Sequence, residues 1–483
     1  MKIFNWINGS ETPAEQERWF EKICPASGQS ISELADSSAL DVQCAVDVAE
    51  KRFDEWASET VIRRGQIIGS IVSLMRDKSN DLAQCISDET GKSLKDALGE
   101  VKASVLQGEY WSGEGMRFSG KTLPSAIPGK SSITIRQPRG VAALLVPANT
   151  PLANIAWKVF PALLCGNTIV LKASEDAPRI ALEFARISKE AGLPDGVLNV
   201  IQGQGNISGA ALVENSGIAV ISFTGSTVVG RRIAQIAGRR LARISLELGG
   251  KNPFVVCDDA NIKNAVKWAC LSAFSNAGQR CASASRILIF DKIYDKFKSA
   301  LLESVAELKI GTGDDCDLGP VINRKQWQRI VSVINTASRD GGSIIAGGVT
   351  ADYSNLRKGY FIQPTLIEGL KIDSDICQTE IFGPVATLHR VTDLDEAIKV
   401  ANSTEFGLTA AIHTASIDRA MWFAQRVKTG VVNINLGTFG SEPHMPFGGF
   451  GASGNGTREP GAEALDVYSE LKTISMMIQS KNI

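Results

Sequence analysis

A thiol, a carboxyl and a side-chain amide mark where this chain could do chemistry. Cys281 lies in NAGQRCASASR, residues 276–286, with an arginine before it and small or hydroxyl residues after it. By residue type it is a nucleophile, a metal ligand or another small core residue, because free cysteine is among the most buried residue types. Glu247 in ARISLELGGKNP alternates with Ile244, Leu246 and Leu248, so it leaves the apolar face just before Gly249-Gly250. That place suits a solvated carboxylate on a half-buried strand, or a general base in a site dry enough to raise its pKa. Asn149 in VPANTP follows a buried apolar run. It is a turn residue, or an amide able to help a backbone N–H stabilise an oxyanion.

Two further stretches could bind a ligand. LKASE places Lys172 and Glu175 at a strand's end, where a carboxylate accepts from ribose hydroxyls and a lysine donates to them. FTGSTVVG opens a helix, so Gly225, Ser226 and Gly230 lie where a pyrophosphate could meet a helix N-terminus. The spelling is neither GxGxxG nor a P-loop, and GQGNISG misses the dinucleotide fingerprint by one residue.

These groups need elements to position them. Leu40–Ala57, Val61–Arg76 and Lys92–Gly113 carry apolar residues at helical spacing, so the N-terminal third reads as mainly helical. SITIRQ, Ser132–Gln137, alternates as a strand does. From Val141 the pattern becomes β–α: VAALLVPA, a helix through LANIAWKVFPALLCGN, TIVLK, a helix over Ile180–Ala191, VLNVIQG, AVISFTG and a helix over Val229–Ala237. Near-continuous apolar strands alternating with helices predict a doubly wound α/β domain. A second α/β unit follows Leu248, and YSELKTISMMI reads as a closing strand.

Length and composition bound the rest. A chain of 483 residues exceeds one ordinary core. Lys and Arg total 51 against 52 Asp and Glu, a balance that gives no broad attraction for nucleic acid or anionic membrane. The start, MKIFNWINGSETP, lacks a secretory pattern, and the apolar runs fall short of the ~20 residues that span a bilayer. Nine cysteines without a CxxC pair argue against a disulfide framework, so a reduced, cytoplasmic setting is expected. No Cys/His spacing suggests a metal site, so none is expected.

Taken together, VPANTP, LKASE, FTGSTVVG, LELGGKNP, AGQRC, EIFGPV and PFGGFGASG resemble, in their order, the NAD(P)-dependent aldehyde dehydrogenase superfamily. The 34-residue separation of Glu247 from Cys281 is similar to the family's as well. The resemblance implies Cys281 as nucleophile, Glu247 as general base, and Asn149 with the Cys281 amide as oxyanion donors. It implies Lys172 and Glu175 at the adenosine ribose, Gly225 and Ser226 at the pyrophosphate, and Glu380 and Phe382 at the nicotinamide riboside. Lys158 matches a lysine near the active site.

The implied reaction oxidises an aldehyde to a carboxylic acid through a thiohemiacetal and a thioester. GQRC and EPHMPFGG look most like branches acting on semialdehydes that bear a carboxylate. Ala148 and Thr150 stand where relatives acting on bulky apolar aldehydes often carry aromatics, leaving Trp157 and Phe447 as candidates to line the pocket. Glu175 favours NAD, with NADP possible, because a 2′-phosphate would sit beside its charge.

Other readings remain. A CoA-acylating enzyme would release the acyl group to CoA, but such relatives generally lack the glutamate matching Glu247. A cysteine hydrolase would need His389, His413 or His444 beside Cys281. A catalytically silent nucleotide-binding protein could share the scaffold. The expected architecture is an aldehyde-dehydrogenase-like α/β fold: a Rossmann-type NAD-binding domain over 1–118 and 140–248, an α/β catalytic domain over 249–450, and a β oligomerisation extension over 119–139 and 451–483. Homodimers or homotetramers built through that extension are expected, with a small-molecule aldehyde as substrate and neither nucleic acid nor membrane as partner.

Overall fold

The computed structural model describes residues 1–348 and 358–477. Five apolar strands stack in parallel in the order Arg243–Glu247, Ile218–Thr224, Val141–Leu145, Thr168–Lys172, Leu198–Ile201. Four residues or more of each central strand are buried, as sheets covered on both faces require. The helices Pro151–Cys165, Pro178–Glu190 and Thr227–Arg239 cross between them. Gly166 ends the first of these at φ 92°, a left-handed stop open to glycine.

A second sheet is built on the same plan. Thr365–Glu368, Val385–Val391, Ala284–Phe290, Asn252–Val256, Thr409–His413 and Val431–Ile434 run parallel, with Ser343–Ala346 antiparallel at one edge. The first sheet presents its carboxyl ends, the part of an open α/β sheet where ligands bind, toward the amino ends of strands Asn252–Val256, Ala284–Phe290 and Val385–Val391 of the second. The aldehyde-dehydrogenase-like α/β fold expected from sequence is the fold observed.

The first 35 residues depart from the helical reading. Helices do occupy Ala39–Ser58, Val61–Asp77 and Leu94–Glu114, with Ser79–Thr90 between them. Before them lie five short strands, two of which, Asn5–Ile7 and Ser10–Thr12, extend the first sheet antiparallel. Strands this short carry too few residues for a period to declare itself.

Lys130–Pro138 pairs antiparallel with Ser469–Met477 along its whole length, and Thr122–Leu123 adds a third strand. The closing stretch differs from the expected extension in one respect. Residues 452–468 fold back on the first sheet: Leu248 N donates to Ser453 O at 3.0 Å, and Glu459 and Tyr468 are fully buried. A carboxyl and a phenol so buried need polar partners, and the first domain supplies them (below). Residues 478–483 of the expected extension lie outside the described residues.

Candidate active site

The run before Cys281 is held in an uncommon backbone. Asn276, Ala277 and Gly278 have φ of 54°, 53° and 68°, three successive left-handed residues, two of them not glycine. Such conformations persist where surroundings over-determine them. Here Asn276 Nδ2 donates to Asn149 O at 3.1 Å, and Ser283 Oγ donates to Gly278 O at 3.1 Å. Asn252 Nδ2 binds the carbonyls of Cys281 and Ser283 at 2.7 and 2.9 Å. Thr438 Oγ1 donates to Ala282 O at 2.5 Å.

The half-buried Cys281 opens into a cavity of about 310 Å³ shared by Asn149, Glu247, Gly225, Ser226, Glu380 and Phe382. Trp157 and Phe447 form one wall, with ring centroids 5.4 Å apart at 63°. Burial pushes the Cys281 thiol up to about 12; Glu380 and Glu247 add to the rise, while the Ala282 N–H and Arg280 oppose it.

Glu247 is not a solvated carboxylate. It is 4% exposed, and neither carboxyl oxygen has a hydrogen-bond partner. Burial lifts its pKa well above the carboxylate range, and Glu459 lifts it further against Lys158 and Arg458. The loop opposite is bare where the carboxyl lies: a Cβ on Gly448 would come within 2.9 Å of Glu247 Oε1. A carboxyl whose pKa burial raises, left unpartnered in a cleft, suits a general base that awaits a water.

Asn149 Nδ2 donates to Gln279 O at 3.0 Å, which ties the amide to the cysteine loop. An amide carries two N–H donors. Lys92 Nζ donates to the Asn149 carbonyl at 2.8 Å and pairs with Glu100 at 2.7 Å, both side chains buried. Glu380 accepts from Gly250 N at 3.2 Å, and burial pushes its carboxyl up to about 7. A Cβ on Gly249 would overlap that carboxyl at 2.3 Å, and one on Gly250 would come within 2.8 Å of Cys281 O, so the turn after Glu247 is Gly-Gly. Phe382 sits at φ 56°.

Lys158 is not among the cavity's lining residues. It is 1% exposed and donates to Ser222 Oγ at 2.7 Å and Glu459 Oε2 at 2.8 Å. Glu459, which the sequence reading missed, also accepts from Tyr468 Oη at 3.1 Å and from Ser222 Oγ. A lone glutamate in a Gly-rich tail gives no signal, because Ser222 and Lys158 stand 237 and 301 residues away.

Lys172 and Glu175 lie apart from the cysteine, at the end of strand Thr168–Lys172 and 3.8 Å from each other. Burial brings the Lys172 ammonium down to about 8. Ser226 caps helix Thr227–Arg239, accepting from Val229 N at 3.4 Å. Gly230 serves packing rather than a ligand, since a Cβ there would strike Leu248 at 2.5 Å.

The histidines go elsewhere. His389 Nε2 contacts Cys377 Sγ at 3.6 Å and Thr387 Oγ1 at 2.9 Å, His413 bonds Leu436 O at 3.0 Å, and His444 is exposed. None lines the cavity.

A loop cysteine, a buried carboxyl and an amide in one cleft between two largely parallel sheets define an α/β enzyme equipped for acyl chemistry. Residues 12–474 match the model of the aldehyde dehydrogenase family, and the chain belongs to that family. It is 36% identical over 472 residues to an alpha-ketoglutarate semialdehyde dehydrogenase of Haloferax volcanii, covering 97% of this chain and 98% of that one. It is 35% identical to an alpha-ketoglutaric semialdehyde dehydrogenase of Bacillus subtilis, covering 97% of each. Betaine aldehyde dehydrogenase of Staphylococcus aureus, solved with NAD+, superposes with a TM-score of 0.97 at 31% identity, over 100% of this chain and 96% of that one.

Proposed function

We propose that this enzyme oxidises an aldehyde to a carboxylic acid with NAD, through a thioester on Cys281. The observation that carries the reading is the dry, unpartnered Glu247 carboxyl sharing one cavity with Cys281 and Asn149.

The Cys281 thiolate adds to the aldehyde carbon and makes a thiohemiacetal. The second Asn149 N–H and the Cys281 amide stabilise its oxyanion, at about 3–4 kcal/mol per donor in comparable sites. NAD, when bound, supplies the acceptor for the hydride that this carbon loses in becoming a thioester. Glu247, freed of its proton, takes one from water; the hydroxide attacks the thioester, the C–S bond breaks, and acid and thiol are released.

The cleft fits such a dinucleotide. Lys172 and Glu175 offer a donor and an acceptor to a ribose diol, and Ser226 begins a helix whose exposed first turn suits a pyrophosphate. Gly205 and Gly209 keep the space beside them open: a Cβ at each would lie 3.8 Å from Glu175 Oε2 and 3.9 Å from Lys172 Cγ. Glu380 and Phe382, on the cysteine side, would receive the nicotinamide riboside.

For the substrate we propose a small polar aldehyde, above all a semialdehyde bearing a carboxylate. Arg280 supports this. Its guanidinium packs 4.9 Å from the Phe439 ring centroid and makes no hydrogen bond among the described residues, its Nε being buried. An unpaired, partly desolvated arginine adjacent in sequence to the nucleophile, though not among the residues lining its cavity, suits a carboxylate ligand. The two semialdehyde-oxidising relatives point the same way. We assign the protein to the cytoplasm, consistent with nine free cysteines, and to a homodimer or homotetramer.

A steady-state panel of acidic, small neutral and aromatic aldehydes, each with NAD and NADP, tests the whole reading. Acidic semialdehydes with NAD should give the highest kcat/KM, with free acid formed whether or not CoA is present. Arg280→Met should raise KM about tenfold or more for acidic substrates and leave neutral ones within about twofold, since a lost charged hydrogen bond costs about 1.5–3 kcal/mol. Preference for long aliphatic or aromatic aldehydes would sink the substrate assignment.

A further inference from the structure

A run of polar contacts crosses the cleft and takes part in no step above. Asp176 follows Glu175 in the turn that begins at Lys172. Its Oδ2 accepts from Asn323 Nδ2 at 2.8 Å. Asn323 belongs to the other side: it caps helix Arg324–Ala337, with Oδ1 accepting from Gln326 N at 2.8 Å. Within the first two turns of that helix, Gln326 Nε2 donates to Ile381 O at 2.8 Å and Phe382 O at 3.0 Å, and Arg329 donates to Glu380 O. One helix start therefore grips three successive carbonyls of the loop that carries Glu380 and Phe382. It also helps hold Phe382 in its left-handed conformation.

The Asp176 end is anchored as well. Lys22, 2% exposed, donates to Ile23 O at 2.8 Å, and its charge acts on Asp176 and Glu89. Glu89 in turn accepts from Arg179 N at 2.7 Å and Ile180 N at 3.1 Å, at the start of the helix that follows Asp176.

We propose that the Asp176–Asn323 hydrogen bond latches the ribose turn to the nicotinamide loop, so that the two ends of the cofactor cleft are positioned as one unit. The proposal rests on the dinucleotide reading above. Burial raises the pKa of the Asp176 carboxyl while Lys22 and the hydrogen bond from Asn323 oppose the rise, and this bond joins segments 147 residues apart. With the latch closed, the ordering of both ends is already in place before the cofactor arrives. Asp176 and Asn323 are positioning residues: they act through the groups that touch the ligand.

The test is a titration of the full-length protein with NAD, read by quenching of its tryptophan fluorescence, with thermal unfolding in parallel. Asn323→Asp keeps the helix cap but sets two carboxylates face to face; NAD affinity should fall about tenfold, with KM for aldehyde little changed. Asp176→Asn keeps an acceptor for Asn323 and should stay within about threefold. Combining the two reverses the pair and should restore affinity to within about twofold of wild type, the signature of direct coupling.

Unchanged affinity in Asn323→Asp, or no recovery in the double variant, would overturn the latch. Should Asn323→Asp fail to fold, Asn323→Ser keeps a cap and loses the bridging amide; about fivefold weaker NAD binding supports the latch, and wild-type affinity refutes it. Failure of the wild type to bind NAD would instead refute the cofactor reading.

Discussion

Cys281 and Glu247 are each tuned by burial, and predictions at the scale of single residues follow from that. A thiol held near 12 is almost wholly protonated at neutral pH, and the thiolate is the reactive form. Alkylation of the cofactor-free enzyme by iodoacetamide should therefore rise about tenfold per pH unit from pH 7 to 9 without levelling off. A plateau below pH 9 would contradict the geometry. Glu247 must lose a proton held unusually tightly, so turnover should fall with an acid limb lying above the ordinary glutamate range of about 4.3. Glu247→Gln should remove that limb, slow deacylation by about 10²–10⁴-fold and leave one equivalent of NADH as a burst, with the acyl adduct visible by mass spectrometry. Cys281→Ala should abolish both NADH and adduct. These residues were legible as candidates because the end of one apolar strand, at Glu247, and local spelling single them out. The burial of Glu247 was not: alternation alone turned it toward water, while the loop at Gly448 and the returning strand at Gly454 lie against it.

At the scale of elements, the fit of helix Pro151–Cys165 to that tail is secured by charge. Lys158 and Glu459 are 1% and 0% exposed and pair at 2.8 Å, with Ser222 and Tyr468 completing the network. Removing one partner of a buried pair strands the other, at a cost of about 3–5 kcal/mol. Lys158→Met should thus lower the temperature of half-inactivation more than Lys158→Met/Glu459→Gln does, since the double variant strands no charge. Equal losses in the two would show the pair to be uncoupled. Sequence periodicity placed the helix and both flanking strands within a few residues, because their apolar faces pack locally. It said nothing of the pair, whose members stand 301 residues apart.

For the whole molecule, the three-stranded extension leaves Leu471 and Met477 mostly exposed on its long closing strand. Apolar groups on an uncovered sheet favour burial against another copy. Sedimentation at micromolar concentration should give a dimer or tetramer, and Leu471→Glu should shift it toward smaller species. A wild-type monomer under those conditions would count against assembly through this sheet.

The sequence by itself determined the long N-terminal helices, the β–α order that follows Val141 and the candidate reactive groups. Each of these depends on neighbours in the chain: runs of apolar residues, helix stops and local spelling. Tertiary structure alone decided which groups are dry, paired or facing one another. Glu247 loses its water, Lys158 turns from cavity to ion pair, and Asp176 meets Asn323 across the cleft, because burial and pairing depend on segments that only folding brings together.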